Sequence, residues 1–108
     1  MEPLDQLKLI TDWETGPALT EAELEAVLGA YAREDSNGLS VQNEEWTPTY
    51  DINAAASKAW LLKAARAASL VEIDPPGSGV VTSRVFENCR AMARIYAGKR
   101  RMTVSLSS

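Results

Sequence analysis

The chain contains no histidine and only one cysteine, Cys89. Without an imidazole it lacks the side chain that most often serves as a general base near neutral pH. One thiol with no histidine cannot build a typical zinc site. A single cysteine also excludes an internal disulfide, which fits a protein that is assembled in a reducing compartment. These absences argue against the common metal-dependent and nucleophilic enzymes.

Three further features are missing. The longest apolar runs are far too short to cross a bilayer, and the first ten residues carry acids without the basic start of a secretory signal. Neither GxxxxGK[ST] nor GxGxxG occurs, so nucleotide phosphates have no recognisable cradle. We therefore expect no enzymatic activity, no cofactor, no bound metal and no membrane insertion.

The hydrophobic pattern predicts one all-α domain. Its 108 residues are 45% hydrophobic, many of them alanine, so the core should rely on close contacts between helices. Three main helices are predicted near residues 20–34, 51–71 and 83–98, with a short helix before them over residues 4–10. A loop is expected over residues 74–79, and residues 99–108 should form an extended tail beyond a helical domain over residues 1–98.

Capping residues support these boundaries. Thr20 and Glu23 have the spacing of a capping box, and Asp51 is a good N-cap for the second main helix. Either Thr82 or Ser83 is expected to cap the third.

The apolar positions predict a single buried core. Trp60 should be its large anchor, and five more side chains are expected to be buried with it: Leu24, Leu28, Val85, Cys89 and Met92. The wetter side of the second main helix is expected to carry Lys58, Lys63 and Arg66.

Charge is unevenly distributed along the chain. Residues 1–51 hold twelve acids and two bases, a net charge of −10, whereas residues 52–108 hold nine bases and three acids, a net charge of +6. Such a split suits contact between copies, acidic face to basic face. Alternatively, the two halves neutralise each other within one fold, and both interpretations can hold together.

Several side chains could suggest chemistry. Asp12-Trp13-Glu14 and Glu44-Glu45-Trp46 place acids beside tryptophans, as a glycosidase would, but both stretches lie in predicted loops of a small bundle. Cys89 lacks a histidine partner and lies on an apolar helix face, which favours a buried, inert thiol. We interpret all of these as structural.

The basic residues of the second half could bind phosphates. They include Arg90 and Arg94, which lie one helical turn apart and share a stripe, together with Arg84, Lys99, Arg100 and Arg101. The overall charge of −4 is unlike that of most nucleic-acid binders, and the loop between the last two helices is too long for a helix-turn-helix. A small DNA-binding regulator or packaging subunit remains the alternative function.

Two segments resemble the head-to-tail adaptor proteins of tailed bacteriophages. One is similar to their central helix and comprises Tyr50-Asp51-Ile52-Asn53-Ala54-Ala55-Ala56, Trp60, Lys63, Ala64 and Ala67-Ala68. The other is similar to the end of their last helix and comprises Val85-Phe86-Glu87-Asn88-Cys89, Met92-Ala93 and Tyr96. The capped helix that begins at Thr20 also fits their first long helix.

The resemblance implies a non-catalytic virion subunit, assembled in the host cytoplasm and located at the head–tail interface. It implies a ring, of twelve copies, that lies beneath the portal protein, extends the DNA channel and joins the capsid to neck and tail proteins. Genomic DNA would pass through the lumen without sequence-specific binding. We expect Arg90 and Arg94 to contact the neighbouring subunit.

The C-terminal tail is expected to bind the portal. Its residues alternate between apolar and polar, as in a strand that adds to a partner's sheet edge, and they follow a basic triplet. The residues expected to make this contact are Lys99, Arg100, Arg101, Met102, Val104 and Leu106.

Deletion of residues 102–108 tests the tail. We expect normal helicity by circular dichroism but lost attachment to the portal in a pull-down, because the strand pairing and the apolar side chains go together. A truncated chain that binds the portal with unchanged affinity would show that the segment is only a frayed terminus.

Overall fold

The structure, a computed structural model, describes residues 2–73 and 79–99, and the side chains of residues 2–69 and 84–99. This part of the chain contains four helices and no strand: α1 (Pro3–Thr11), α2 (Glu21–Ala30), α3 (Ile52–Ile73) and α4 (Gly79–Lys99). The predicted all-α class is confirmed, and so is the short first helix. Residues 74–78 of the predicted loop and residues 100–108 of the predicted tail lie outside the described residues. Gly79 and Lys99 belong to α4, so the predictions that placed Gly79 in the loop and Lys99 in the extended tail are wrong.

The predicted caps at Thr20 and Asp51 are confirmed. The Glu23 N–H donates to Thr20 Oγ1 over 3.1 Å, and the Thr20 N–H donates to the Glu23 carboxylate over 2.8 Å. At the start of α3, the Ala54 N–H donates to Asp51 Oδ1 over 3.0 Å. In each case a side chain satisfies a donor that has no partner within the helix.

Two predicted boundaries are wrong. Helix α2 ends at Ala30 and not near residue 34, because Ala32 pairs with Tyr50 in an isolated antiparallel bridge that takes the backbone out of the helix. Helix α4 begins at Gly79, so residues 82 and 83 lie inside it and do not cap it. A helix that begins at Gly79 has more backbone hydrogen bonds than one that begins after a cap at residue 82 or 83.

Helices α3 and α4 form an antiparallel hairpin. Near one end, Asn53 Nδ2 donates to the Lys99 carbonyl over 3.2 Å, and further along, Ser57 Oγ donates to the Ala93 carbonyl over 2.8 Å. Cys89 then packs beside Trp60. The small alanine side chains between the helices allow this close approach.

The buried side chains that the structure describes form two clusters, so the prediction of a single buried group is wrong. Leu24 and Leu28 belong to the first cluster, with Leu7, Leu19, Val27, Ala55, Ala56 and Ala59. Trp60 and Cys89 belong to the second, with Ala64 and Ala93, while Val85 and Met92 are only half-buried at its edge. The reason is that α2 packs on α1 and α3 but not on α4.

The prediction that Lys63 faces solvent is wrong. Its side chain is 1% exposed, and its ammonium group donates to the carbonyls of Thr11 (3.2 Å), Asp12 and Thr15 (3.1 Å). Thr11 is the last residue of α1, where free carbonyls and the helix dipole favour a cation. Burial lowers the pKa of Lys63, and the nearby Asp12 opposes that shift.

Lys63 is the middle one of three α3 side chains that hold the N-terminal segment. One turn earlier, Trp60 Nε1 donates to the Ile10 carbonyl over 3.2 Å. One turn later, the Arg66 guanidinium donates to the Ala18 carbonyl over 2.7 Å and pairs with Glu23. Because residues three apart share a helix face, this one face of α3 fixes both α1 and the start of α2.

Lys63→Met is expected to lower the free energy of unfolding by about 2–4 kcal/mol, because it removes the donor to the carbonyls of Thr11, which is buried, and Thr15. Urea denaturation measures the change. The control is Lys58→Met on the same helix, where the lysine is exposed and the loss should stay within about 0.5 kcal/mol. Equal effects of the two substitutions would contradict the anchoring role of Lys63.

Glu23 should make stability depend on pH. Its hydrogen bond with Arg66, aided by the Thr20 N–H, lowers its pKa from 4.5 to about 2. Folding therefore favours the ionised carboxylate, so this contribution is complete above pH 4.5 and is lost as the pH falls towards 2. Glu23→Gln keeps a capping oxygen but loses the ion pair, and its unfolding free energy should fall less steeply over that range. Glu25 is exposed, so the unfolding free energy of Glu25→Gln should depend on pH as that of the unsubstituted chain does. The same pH dependence in Glu23→Gln would contradict the role of the Glu23–Arg66 pair.

Candidate inter-subunit interface

Helix α4 carries several exposed basic side chains. Arg84, Arg90, Arg94 and Lys99 are all exposed, and the Arg90 guanidinium lies 5.8 Å from the centre of the Phe86 ring. Among the side chains that the structure describes, no acid forms an ion pair with any of the three arginines. Arg90 and Arg94 are thus accessible, and their contact with another subunit stays a prediction.

A shallow groove runs along the hairpin between Arg90 and Arg94 of α4 and the facing side of α3. Besides these two arginines it is lined by Ser57, Leu61, Ala93 and Ala97, and we call it the α3–α4 groove. Leu61 is 46% exposed and is one of four large apolar side chains, among those described, that are open to solvent. The groove therefore combines an apolar strip with two cations.

The segment between α2 and α3, residues 31–50, forms an ordered loop that we call the acidic loop. Its organiser is the buried carboxylate of Asp35, which accepts backbone N–H groups from Asn37, Leu39 and Thr47, each over 2.9 Å. These N–H donors lower the pKa of Asp35 below its ordinary value of 3.8, and the Thr47 N–H has the largest effect. The ionised side chain thus ties together both arms of the loop.

Trp46 closes the acidic loop. Its indole Nε1 donates to the Arg33 carbonyl over 2.7 Å, and its ring meets that of Tyr50 edge to face at 5.7 Å. The neighbouring Glu44 and Glu45 are exposed, as is Val41 at 44%. Trp46 thus packs against the inner side of the loop, and the Glu44 and Glu45 side chains are exposed to solvent.

The two acid–tryptophan stretches do not share a cleft. Asp12 is the C-cap of α1 and has a left-handed conformation (φ 50°), and Lys8 Nζ lies 5.1 Å from the centre of the Trp13 ring. The shallow cleft beside Asp12 and Glu14 is lined by α1 side chains and by none of residues 44–46. This arrangement offers no pair of facing carboxylates for a sugar between the two stretches.

Cys89 is 2% exposed, and burial raises the pKa of its thiol. A raised pKa leaves little thiolate at neutral pH, which is the opposite of what a nucleophile needs. Among the described side chains, no group of three or more acids or thiols is placed to hold a metal ion. None of the helices, within the residues described, is long and apolar enough to span a bilayer.

The described ion pairs do little to neutralise the two oppositely charged halves of the chain. Lys8–Glu21 and Arg33–Asp51 both lie within the acidic half, and only Arg66–Glu23 joins one half to the other. The exposed acids of the loop and the exposed arginines of α4 therefore remain available to partners. Of the predicted tail contacts, Lys99 is the exposed last residue of α4, and the others lie outside the described residues.

No family model, no curated protein and no solved structure matches this chain.

Proposed function

We propose that this chain is a head-to-tail adaptor, a structural subunit that forms a ring beneath a phage portal and joins the capsid to neck and tail proteins. The observation that carries the proposal is the separation of exposed charge. The loop before α3 exposes Glu34, Glu44 and Glu45, while Arg84, Arg90 and Arg94 are exposed on α4 without a described acidic partner. The resemblance of the α3 and α4 sequences to adaptor helices supports the same conclusion.

A molecule with two different complementary faces assembles head to tail. Such heterologous contacts close into a ring when the rotation between neighbours permits. A ring of about twelve copies, as the resemblance implies, would continue the portal channel, and DNA would pass through it without base-specific contacts. Arg90 and Arg94 act in this proposal as the basic side of each contact.

The alternative is a DNA-binding subunit. It is favoured by Arg84, Arg90 and Arg94, which are exposed on one helix and could meet phosphates. The net charge of −4 and the acidic loop weigh against it, because both repel a polyanion.

The test is negative-stain electron microscopy of the purified chain mixed with the portal protein encoded in the same genome. We expect an added ring on one end of the portal. Arg90→Glu with Arg94→Glu should reduce ring density while circular dichroism stays unchanged. Lys58→Glu with Arg84→Glu, an equal charge change at exposed sites outside the groove, should preserve the ring.

Two results would contradict the proposal. One is the absence of any density added to the portal. The other is salt-dependent binding to duplex DNA without portal attachment, which would support the DNA-binding alternative.

A further inference from the structure

We infer that the tip of the acidic loop of one copy docks in the α3–α4 groove of the next. The tip is defined by Val41, Glu44 and Glu45, and the groove that receives it is lined by Leu61, Arg90 and Arg94 among others. This inference rests on the proposed function and names the two surfaces through which adjacent subunits meet.

The two surfaces match in chemistry. The tip presents one exposed aliphatic side chain with two carboxylates nearby, and the groove presents one exposed aliphatic side chain with two guanidiniums nearby. Apolar contact in the middle with charge pairs around it is the usual arrangement of a specific interface. Guanidiniums suit this role because their planar fork binds carboxylates in two-pronged geometry.

The loop is already ordered before it docks. Besides the three N–H groups held by Asp35, the tip has its own turn, in which the Asn43 N–H donates to the Ser40 carbonyl over 2.9 Å. The Asn43 side chain in turn accepts the Glu45 N–H over 2.8 Å. A preformed loop loses little conformational entropy on binding, so a small contact can contribute measurable affinity.

The loop of a chain does not fill that chain's own groove. Val41 is 44% exposed and Leu61 46% exposed in the same molecule, so each is open to another partner. Because tip and groove are different surfaces, their contact leaves each copy with a free tip or a free groove, and assembly continues until the ring closes. A second copy of this chain is thus the occupant that the charges favour.

Charge reversal with rescue tests the pairing, measured as self-association of the chain alone by sedimentation velocity. Two double variants place like charges opposite each other: Glu44→Arg with Glu45→Arg in the loop, and Arg90→Glu with Arg94→Glu in the groove. Each should raise the concentration at which half of the chains are assembled by about tenfold or more. The quadruple variant should recover to within about threefold of the unsubstituted chain. Glu14→Arg with Glu25→Arg, exposed acids outside the loop, is the matched control and should change little.

The inference is overturned if the loop variant associates like the unsubstituted chain, if the quadruple variant stays as weak as either double variant, or if the unsubstituted chain never self-associates. In each case the proposed function is judged separately, by whether the unsubstituted chain attaches to the portal in electron microscopy. Retained attachment would leave the adaptor proposal standing with a different inter-subunit contact. If the unsubstituted chain does not attach, both the adaptor proposal and the loop–groove contact are contradicted.

Discussion

The ammonium group of Lys63 lies buried where α1 ends, and three backbone carbonyls surround it. The last carbonyls of a helix have no partners within the helix, and the helix dipole makes that end negative. A cation on the neighbouring helix satisfies both needs at once. Because the Thr11 and Thr15 carbonyls would otherwise lose this donor, α1 and the turn after it are held to α3.

The organisation of the molecule follows from that attachment. Helices α3 and α4 form a hairpin with small side chains between them, and the acidic half of the chain is fastened along one face of α3 by Trp60, Lys63 and Arg66. The other side of the hairpin keeps the α3–α4 groove open. The acidic loop and the basic groove are thus separate surfaces of one chain, and the proposed head-to-tail assembly requires this separation.

Local signals predict the helices well because they act within a few residues. The capping side chains of Thr20 and Asp51 mark helix starts wherever the helix later packs. Long-range contacts are harder to infer. Periodicity shows which faces of α2 and α4 are apolar, but not that each packs on a different part of α3, and therefore not that there are two clusters.

The structural roles of Lys63 and Asp35 could not be predicted from the sequence for a related reason. A lysine is usually solvated, and nothing local to Lys63 reveals that carbonyls from residues 11–15 surround it. Its spacing from Trp60 and Arg66, three residues either way, is the available sign of a shared face. The sequence around Asp35 indicates only a helix stop, but its carboxylate organises a loop whose far arm, at Thr47, is twelve residues away.

In the proposed assembly, copies of this chain contact each other through unlike surfaces, with the acidic loop of one copy in the α3–α4 groove of the next. Disulfide trapping tests it most directly, with Val41→Cys and Leu61→Cys introduced in separate preparations and the two mixed under mild oxidation. Cys89 is buried and should not compete. We expect a crosslinked heterodimer that forms only in the mixture and is suppressed by high salt. Crosslinking that gives only the dimers of like chains, or none while the chains are demonstrably associated, would contradict it.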